Sequence, residues 1–209
     1  MTGRPLMLAT LAVALVAVAA LLIVPRLGGA SADPTQLNLA EQPRKGAEDA
    51  PVQIVVFEDF LCPACGAFAA NVAPRLEREF VATGDVSMYF KNFVVISPES
   101  ERVAQVGECV FEQDNDAFWT FKEVAYRSQD NLDERRALGL VDEYVADVDH
   151  DEVRTCVSED RMLDAVRADV STAQAIGLRG TPSVLVDGSE VSASYEAVRN
   201  AIESALASQ

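Results

Sequence analysis

Histidine and basic residues are the scarce components of this 209-residue chain. His150 stands alone, with one tryptophan and four cysteines beside it. Lysine and arginine number 17 against 33 acids, a formal net charge of −16. Because Arg4 and Arg26 lie near the amino end, residues 33–209 hold 15 basic and all 33 acidic side chains. So negative a surface repels phosphate, which argues against nucleic acid or an anionic membrane face as a partner; it reads as a solvated, soluble exterior. No internal repeat or low-complexity tract occurs. No nucleotide-binding fingerprint appears either, so no organic cofactor is called for. The hydrophobic fraction, 49%, is ordinary for a globular protein once the apolar amino end is allowed for. The length suits one sizeable core, with room for a small second subdomain.

The informative stretch is Val52–Phe80, VQIVVFEDFLCPACGAFAANVAPRLEREF. Val52 to Phe57 is a short apolar run rich in β-branched residues, as in a buried strand. After Cys62-Pro63-Ala64-Cys65 the period changes: Cys65, Phe68, Ala69, Val72, Leu76 and Phe80 recur as one helix face. Pro63 suits a first helical turn, where its missing N–H costs nothing. Cys62 is thus expected at a strand-to-helix junction, at the positive end of the helix dipole, exposed and favoured as the reactive thiolate. Cys65, one turn on, is placed to attack a mixed disulfide at Cys62. The pair reads as a redox dithiol. The alternative is half a zinc site drawing on Cys109, Cys156 and His150, but these offer no second closely spaced pair.

The amino end sets the compartment. Leu6 to Val24 is nineteen residues without charge, longer than a usual signal-peptide core and close to a bilayer span. Ala30-Ser31-Ala32 also reads as a cleavage site, so residues 1–32 are a signal anchor or a signal peptide. With Arg4 held inside, the remainder is expected outside the cytoplasm, joined to the membrane by that segment if uncut. No cysteine near it could carry a lipid. Residues 33–50, polar and with two prolines, read as a linker.

Downstream, Pro74 should kink the first helix or begin a second segment. Val86 to Ile96 reads as a strand parallel to the first. Helical periodicity then covers 98–113, 116–129, 133–148, 150–158 and 160–176, with Ser97 as a cap. Phe118, Trp119 and Phe121 are read as core. A short strand at Val184–Val186, a turn at Asp187-Gly188, a return from Val191 and a helix from Tyr195 to Leu206 close the chain. Cys109 and Cys156, an even pair left over in an oxidising compartment, are expected to form a structural disulfide; two separate buried thiols are the alternative.

Strand, Cys-Pro-x-Cys at a helix start, strand, helical insertion, then Gly177-Leu178-Arg179-Gly180-Thr181-Pro182-Ser183 before a hairpin and helix resembles the thioredoxin fold. The insertion, about residues 97–176, makes the α/β domain at 51–207 resemble the DsbA family of extracytoplasmic thiol–disulfide oxidoreductases. The resemblance implies that Pro182 is cis and binds substrate backbone against the dithiol, with Thr181 beside it. It implies oxidation of client protein thiols and a membrane redox partner that recycles the dithiol. Two departures stand out. Ala64 replaces the histidine of strongly oxidising members, which implies a milder oxidant. The family's buried acid, six residues before the first cysteine, is Val56 here. Glu58, two residues on and on the same strand face, is expected to take over proton transfer for Cys65, unless it is a surface acid; Asp59 is expected to cap the loop. The rival functions are a reductase or isomerase, and a peptide-binding, chaperone-like module that does no redox chemistry.

Overall fold

The computed structural model describes residue 32 and residues 34–208. The apolar segment expected as an anchor or signal peptide therefore lies outside the described residues. Among the described residues no helix is long and apolar enough to cross a membrane.

Five strands form one mixed sheet: β1 (Arg44–Lys45), β2 (Val52–Glu58), β3 (Val86–Asn92), β4 (Ser183–Val186) and β5 (Ser189–Val191), in the order β1-β3-β2-β4-β5. Strands β2 and β3 are parallel and in register, Val52 opposite Val86 and Glu58 opposite Asn92. The other pairings, β1 with β3, β2 with β4 and β4 with β5, are antiparallel. Strand β2 is central and covered on both faces, which is why its side chains do not alternate apolar and polar. Ile54 and Val56 join one apolar cluster; Val55 and Phe57 join another on the opposite face.

The connection from β2 to β3 is α1 (Pro63–Asn71), α2 (Ala73–Leu76) and a π-type turn at Glu77–Val81. Pro74 sits in the first turn of α2 and lacks the N–H that would have continued α1, so the helix breaks there. Five helices separate β3 from β4: α3 (Pro98–Phe111), α4 (Asn115–Arg127), α5 (Glu134–Tyr144), α6 (His150–Ser158) and α7 (Leu163–Ala175). Helix α8 (Tyr195–Ala207) packs back against the sheet. Asp114, Asp133 and Asp149 cap α4, α5 and α6 by accepting backbone N–H bonds. The third cluster fills the insertion and reaches the sheet through Phe60 and Phe90, which stack with Phe118, Phe121 and Tyr126. Cys109 on α3 and Cys156 on α6 are joined by a disulfide, their Cα atoms 5.9 Å apart.

Several expectations change. The span 33–50 is more than a linker: Leu37 is buried, and Arg44–Lys45 pair with β3 as an edge strand. Strand β3 ends at Asn92 rather than Ile96, because the Asp59 carboxylate takes the N–H groups of Val95 and Ile96 out of the ladder. The last insertion helix starts at Leu163, since Asp160 turns the chain at φ 54°. Strand β5 starts at Ser189, two residues before Val191. Trp119 is only partly buried; its indole N–H donates to the Arg44 carbonyl at 3.1 Å.

Candidate functional site

Strand β2 delivers its C-terminal end directly into the dithiol loop. Asp59 shapes that loop: its backbone carbonyl accepts the Cys62 N–H at 3.0 Å and its Oδ1 accepts the Leu61 N–H at 2.8 Å. Cys62 then caps α1 in extended backbone, with Pro63 at the first helical position. The Cys62 carbonyl takes the N–H groups of Cys65 and Gly66 at 3.0 and 3.1 Å. Both cysteines are free thiols.

Cys62 is not openly exposed, as its place at a helix terminus had suggested; it is 4% accessible. The loop before β4 covers it, and the Cys62 thiol donates to the Thr181 carbonyl at 3.3 Å. The Thr181–Pro182 peptide is cis. Cys65 is fully buried. Burial pushes its thiol well above the ordinary range, and the negative charge of Glu58 pushes the same way; a hydrogen bond from the Asp59 backbone opposes them.

Glu58 is no surface acid. It is 0% accessible, and Lys122 on α4 reaches its Oε2 at 2.7 Å. Burial raises the Glu58 carboxyl and Lys122 counters the rise, first by its charge and then by hydrogen bonding. Tyr126, also on α4, is buried, and burial followed by the charge of Glu58 raises its phenol well above the ordinary range. Lys122 and Tyr126 also line a cleft of about 430 Å³ between α1 and α4, together with Gly66, Ala69, Trp119 and Lys45. The insertion is thus part of the site.

Gln129 completes the surroundings, donating from Nε2 to the Phe60 carbonyl at 2.8 Å and to the Cys62 carbonyl at 2.9 Å. Gly66 lets it approach, because a Cβ there would overlap Gln129 Oε1. Sequence reasoning missed Lys122, Tyr126 and Gln129. For Lys122 a signal existed: it lies one residue beyond Phe121 and four beyond Phe118, on the apolar face of its helix. Gln129 follows the helix end and carries no such mark.

The remaining zinc candidates are occupied elsewhere. Cys109 and Cys156 bond to each other, and His150 pairs through Nε2 with the Val145 carbonyl at 2.7 Å. None of them can complete a tetrahedral set around Cys62 and Cys65.

Comparison with known proteins agrees with this geometry. A family model described as thioredoxin matches residues 39–204. A probable disulfide bond formation protein D of Bacillus anthracis is 34% identical over 166 residues, covering 77% of this chain and 76% of the relative. Oxidised BdbD of Bacillus subtilis superposes with a TM-score of 0.78 at 24% identity, over 86% of this chain and 99% of that one. DsbA of Chlamydia trachomatis gives 0.74 at 20% identity, over 83% and 96%. The chain belongs to the thioredoxin family, among its DsbA-like thiol–disulfide oxidoreductases.

Proposed function

We propose that the protein oxidises client protein thiols through a Cys62–Cys65 disulfide, outside the cytoplasm. The observation that carries this reading is the asymmetry of the dithiol. Cys62 caps a helix under the cis-Pro182 loop, whereas Cys65 is sealed beneath it beside a buried acid. A client thiolate attacks Cys62 Sγ; a client–Cys62 disulfide forms, the Cys62–Cys65 bond breaks and Cys65 leaves as a thiolate. Glu58 supplies the proton that Cys65 takes up. A second client thiolate attacks the client sulfur of the mixed disulfide, releasing oxidised client and Cys62. The two electrons now held by the dithiol pass to a membrane redox partner, which restores the disulfide.

Thr181 and Pro182 offer the client an edge: the Thr181 carbonyl already faces the Cys62 sulfur. The Cys109–Cys156 disulfide supports a compartment that tolerates disulfides and serves the insertion structurally. The apolar segment at residues 6–24 is the proposed tether to the membrane, with residues 51–207 as the working domain. Reduction or isomerisation is the second reading, favoured by Ala64, which adds no positive character beside the dithiol, and by Glu58, whose charge disfavours a thiolate at Cys65.

Trapping tests the cycle. Cys65→Ser, with Cys62 first activated as its glutathione mixed disulfide, should exchange glutathione for a client thiol and accumulate a client–Cys62 disulfide visible on non-reducing gels, and Cys62→Ser should abolish it. Absence of client oxidation in the parent protein, with binding of unfolded client surviving Cys62→Ser, would turn the assignment towards a peptide-binding module.

A further inference from the structure

The main chain at Cys62 is held from two directions. From its own loop, the Asp59 carbonyl accepts the Cys62 N–H at 3.0 Å. From the insertion, Gln129 Nε2 donates to the Phe60 carbonyl at 2.8 Å and to the Cys62 carbonyl at 2.9 Å. Gln129 opens the short 3-10 turn Gln129–Asn131 that follows α4, 67 residues along the chain from Cys62. Only the nitrogen end of its amide fits there, because both partners are carbonyls and the two N–H bonds of one amide group fork to reach them. The Cys62 carbonyl also takes the N–H groups of Cys65 and Gly66 at 3.0 and 3.1 Å, so the fork lands on the peptide that starts α1. Helix α1 leaves room for it. Gly66 stands inside α1 without a left-handed backbone, where alanine would make the better helix. Yet a Cβ at that position would lie 2.4 Å from Gln129 Oε1 and 3.0 Å from its Cδ. The approach of the amide is what calls for glycine.

We propose that Gln129 is a positioning residue for thiol–disulfide exchange: its forked amide fixes the turn at residues 60–62 and so the direction in which Cys62 presents its sulfur to Cys65. The inference rests on the Cys62–Cys65 reaction proposed above. In the first step of that reaction a client sulfur bonds to Cys62 and Cys65 leaves as a thiolate. In the reverse step the Cys65 thiolate attacks Cys62 Sγ, the Cys62–Cys65 bond forms and the client departs as a thiolate. Both directions pass through three sulfurs in a nearly straight line, and the protein contributes by holding two of them in place beforehand. The Cys62 sulfur follows its own main chain closely, since only the rotation about Cα–Cβ separates them. Freed from the fork, the turn would sample other positions and the two sulfurs would be in line less of the time. Gln129 donates to carbonyls and not to sulfur. It therefore leaves the reactivity of the Cys62 sulfur towards an outside thiol unchanged.

The test compares two rates for glutathione held on Cys62 as a mixed disulfide. One is its release by Cys65, followed by acid quench and mass spectrometry after the reduced protein meets excess oxidised glutathione. The other is its release by added mercaptoethanol in the Cys65→Ser background. Their ratio is the effective molarity of Cys65. Gln129→Ala should lower that ratio roughly tenfold, the factor set by about one net hydrogen bond, by slowing release by Cys65 alone. Gln129→Glu keeps the length but has no donor when ionised, and should lower the ratio at least as much if the alanine variant fails to fold. Gly66→Ala should lower it too, although it favours the helix, and adding Gln129→Ala should lower it no further. Gln113→Ala is the control. It removes an amide that bridges the Asp149 N–H and carbonyl, between the end of α3 and the start of α6, and should leave the ratio unchanged. A ratio equal to that of the parent in any of the three single variants at Gln129 and Gly66 would overturn the proposal. An equal fall in Gln113→Ala, or an equal slowing of the mercaptoethanol reaction, would also overturn it. Absence of any release by Cys65 in the parent protein would instead overturn the reaction itself.

Discussion

Glu58 and Lys122 form a buried ion pair, and the charge of the acid also acts on the buried Cys65 thiol. Desolvation raises the Glu58 carboxyl above its usual 4.5, so the fraction present as carboxylate grows with pH over a range shifted upward. Only the carboxylate can take the proton from Cys65. Release of a mixed disulfide by Cys65 should therefore accelerate as pH rises through the Glu58 titration. Glu58→Gln should remove that acceleration and slow release about a hundredfold, the lower range of general-base contributions; an unchanged rate and profile in stopped-flow exchange would remove Glu58 from the path. The acid itself was legible, because Glu58 shares the β2 face of Val56. Its partner was not, since Lys122 lies 64 residues away on a helix whose docking angle no local pattern encodes.

At the scale of elements, polar clusters join the insertion to the sheet, and one covalent link ties two helices of the insertion together. Lys91 on β3 meets Asp169 on α7 at 2.5 Å, and Asn92 donates from Nδ2 to Glu108 on α3 at 2.6 Å. Burial, reinforced by Asp169, pushes the Glu108 carboxyl up to about 8. In the unfolded chain that carboxyl titrates near 4.5. Between these limits the folded state binds more protons, so this group makes stability fall as pH rises, with a limiting slope of about 1.4 kcal/mol per pH unit. Glu108→Gln keeps an acceptor for Asn92 and should flatten the decline, so that the variant is the more stable protein above pH 8 in urea titrations. An unchanged slope would mean that Glu108 is not held neutral. The disulfide is a second tie: replacing Cys109 and Cys156 together by alanine should cost up to about 4 kcal/mol, the chain-entropy value for a 47-residue separation, while leaving exchange at Cys62 intact. The elements themselves were largely readable. Periodicity placed every insertion helix, and Pro74 placed the break. Helix and strand ends were less so, because Asp59, Asp114 and Asp133 act as caps and competitors through side-chain bonds that spacing alone does not rank.

For the molecule as a whole, a thioredoxin-type sheet carries the dithiol, and the helical insertion supplies Lys122, Tyr126 and Gln129 to its underside. That division explains what the sequence could and could not reveal. Cys62, Cys65, Thr181 and Pro182 sit in motifs with fixed local spacing, whereas the insertion's contribution depends on how five helices dock. Exposure of Cys62 failed for the same reason: a helix terminus is open only until another loop covers it. Nearby charge makes the dithiol asymmetric: Cys62 caps α1, Ala64 adds no charge beside it, and Glu58 opposes charge on Cys65. The most direct test is the redox equilibrium of Cys62–Cys65 with glutathione, on a protein beginning at Asp33. The account predicts a reversible two-electron couple above the roughly −270 mV of thioredoxin and below the roughly −120 mV of the strongest oxidants of this type. A potential at or below that of thioredoxin would make the protein a reductase and contradict the oxidising cycle proposed here.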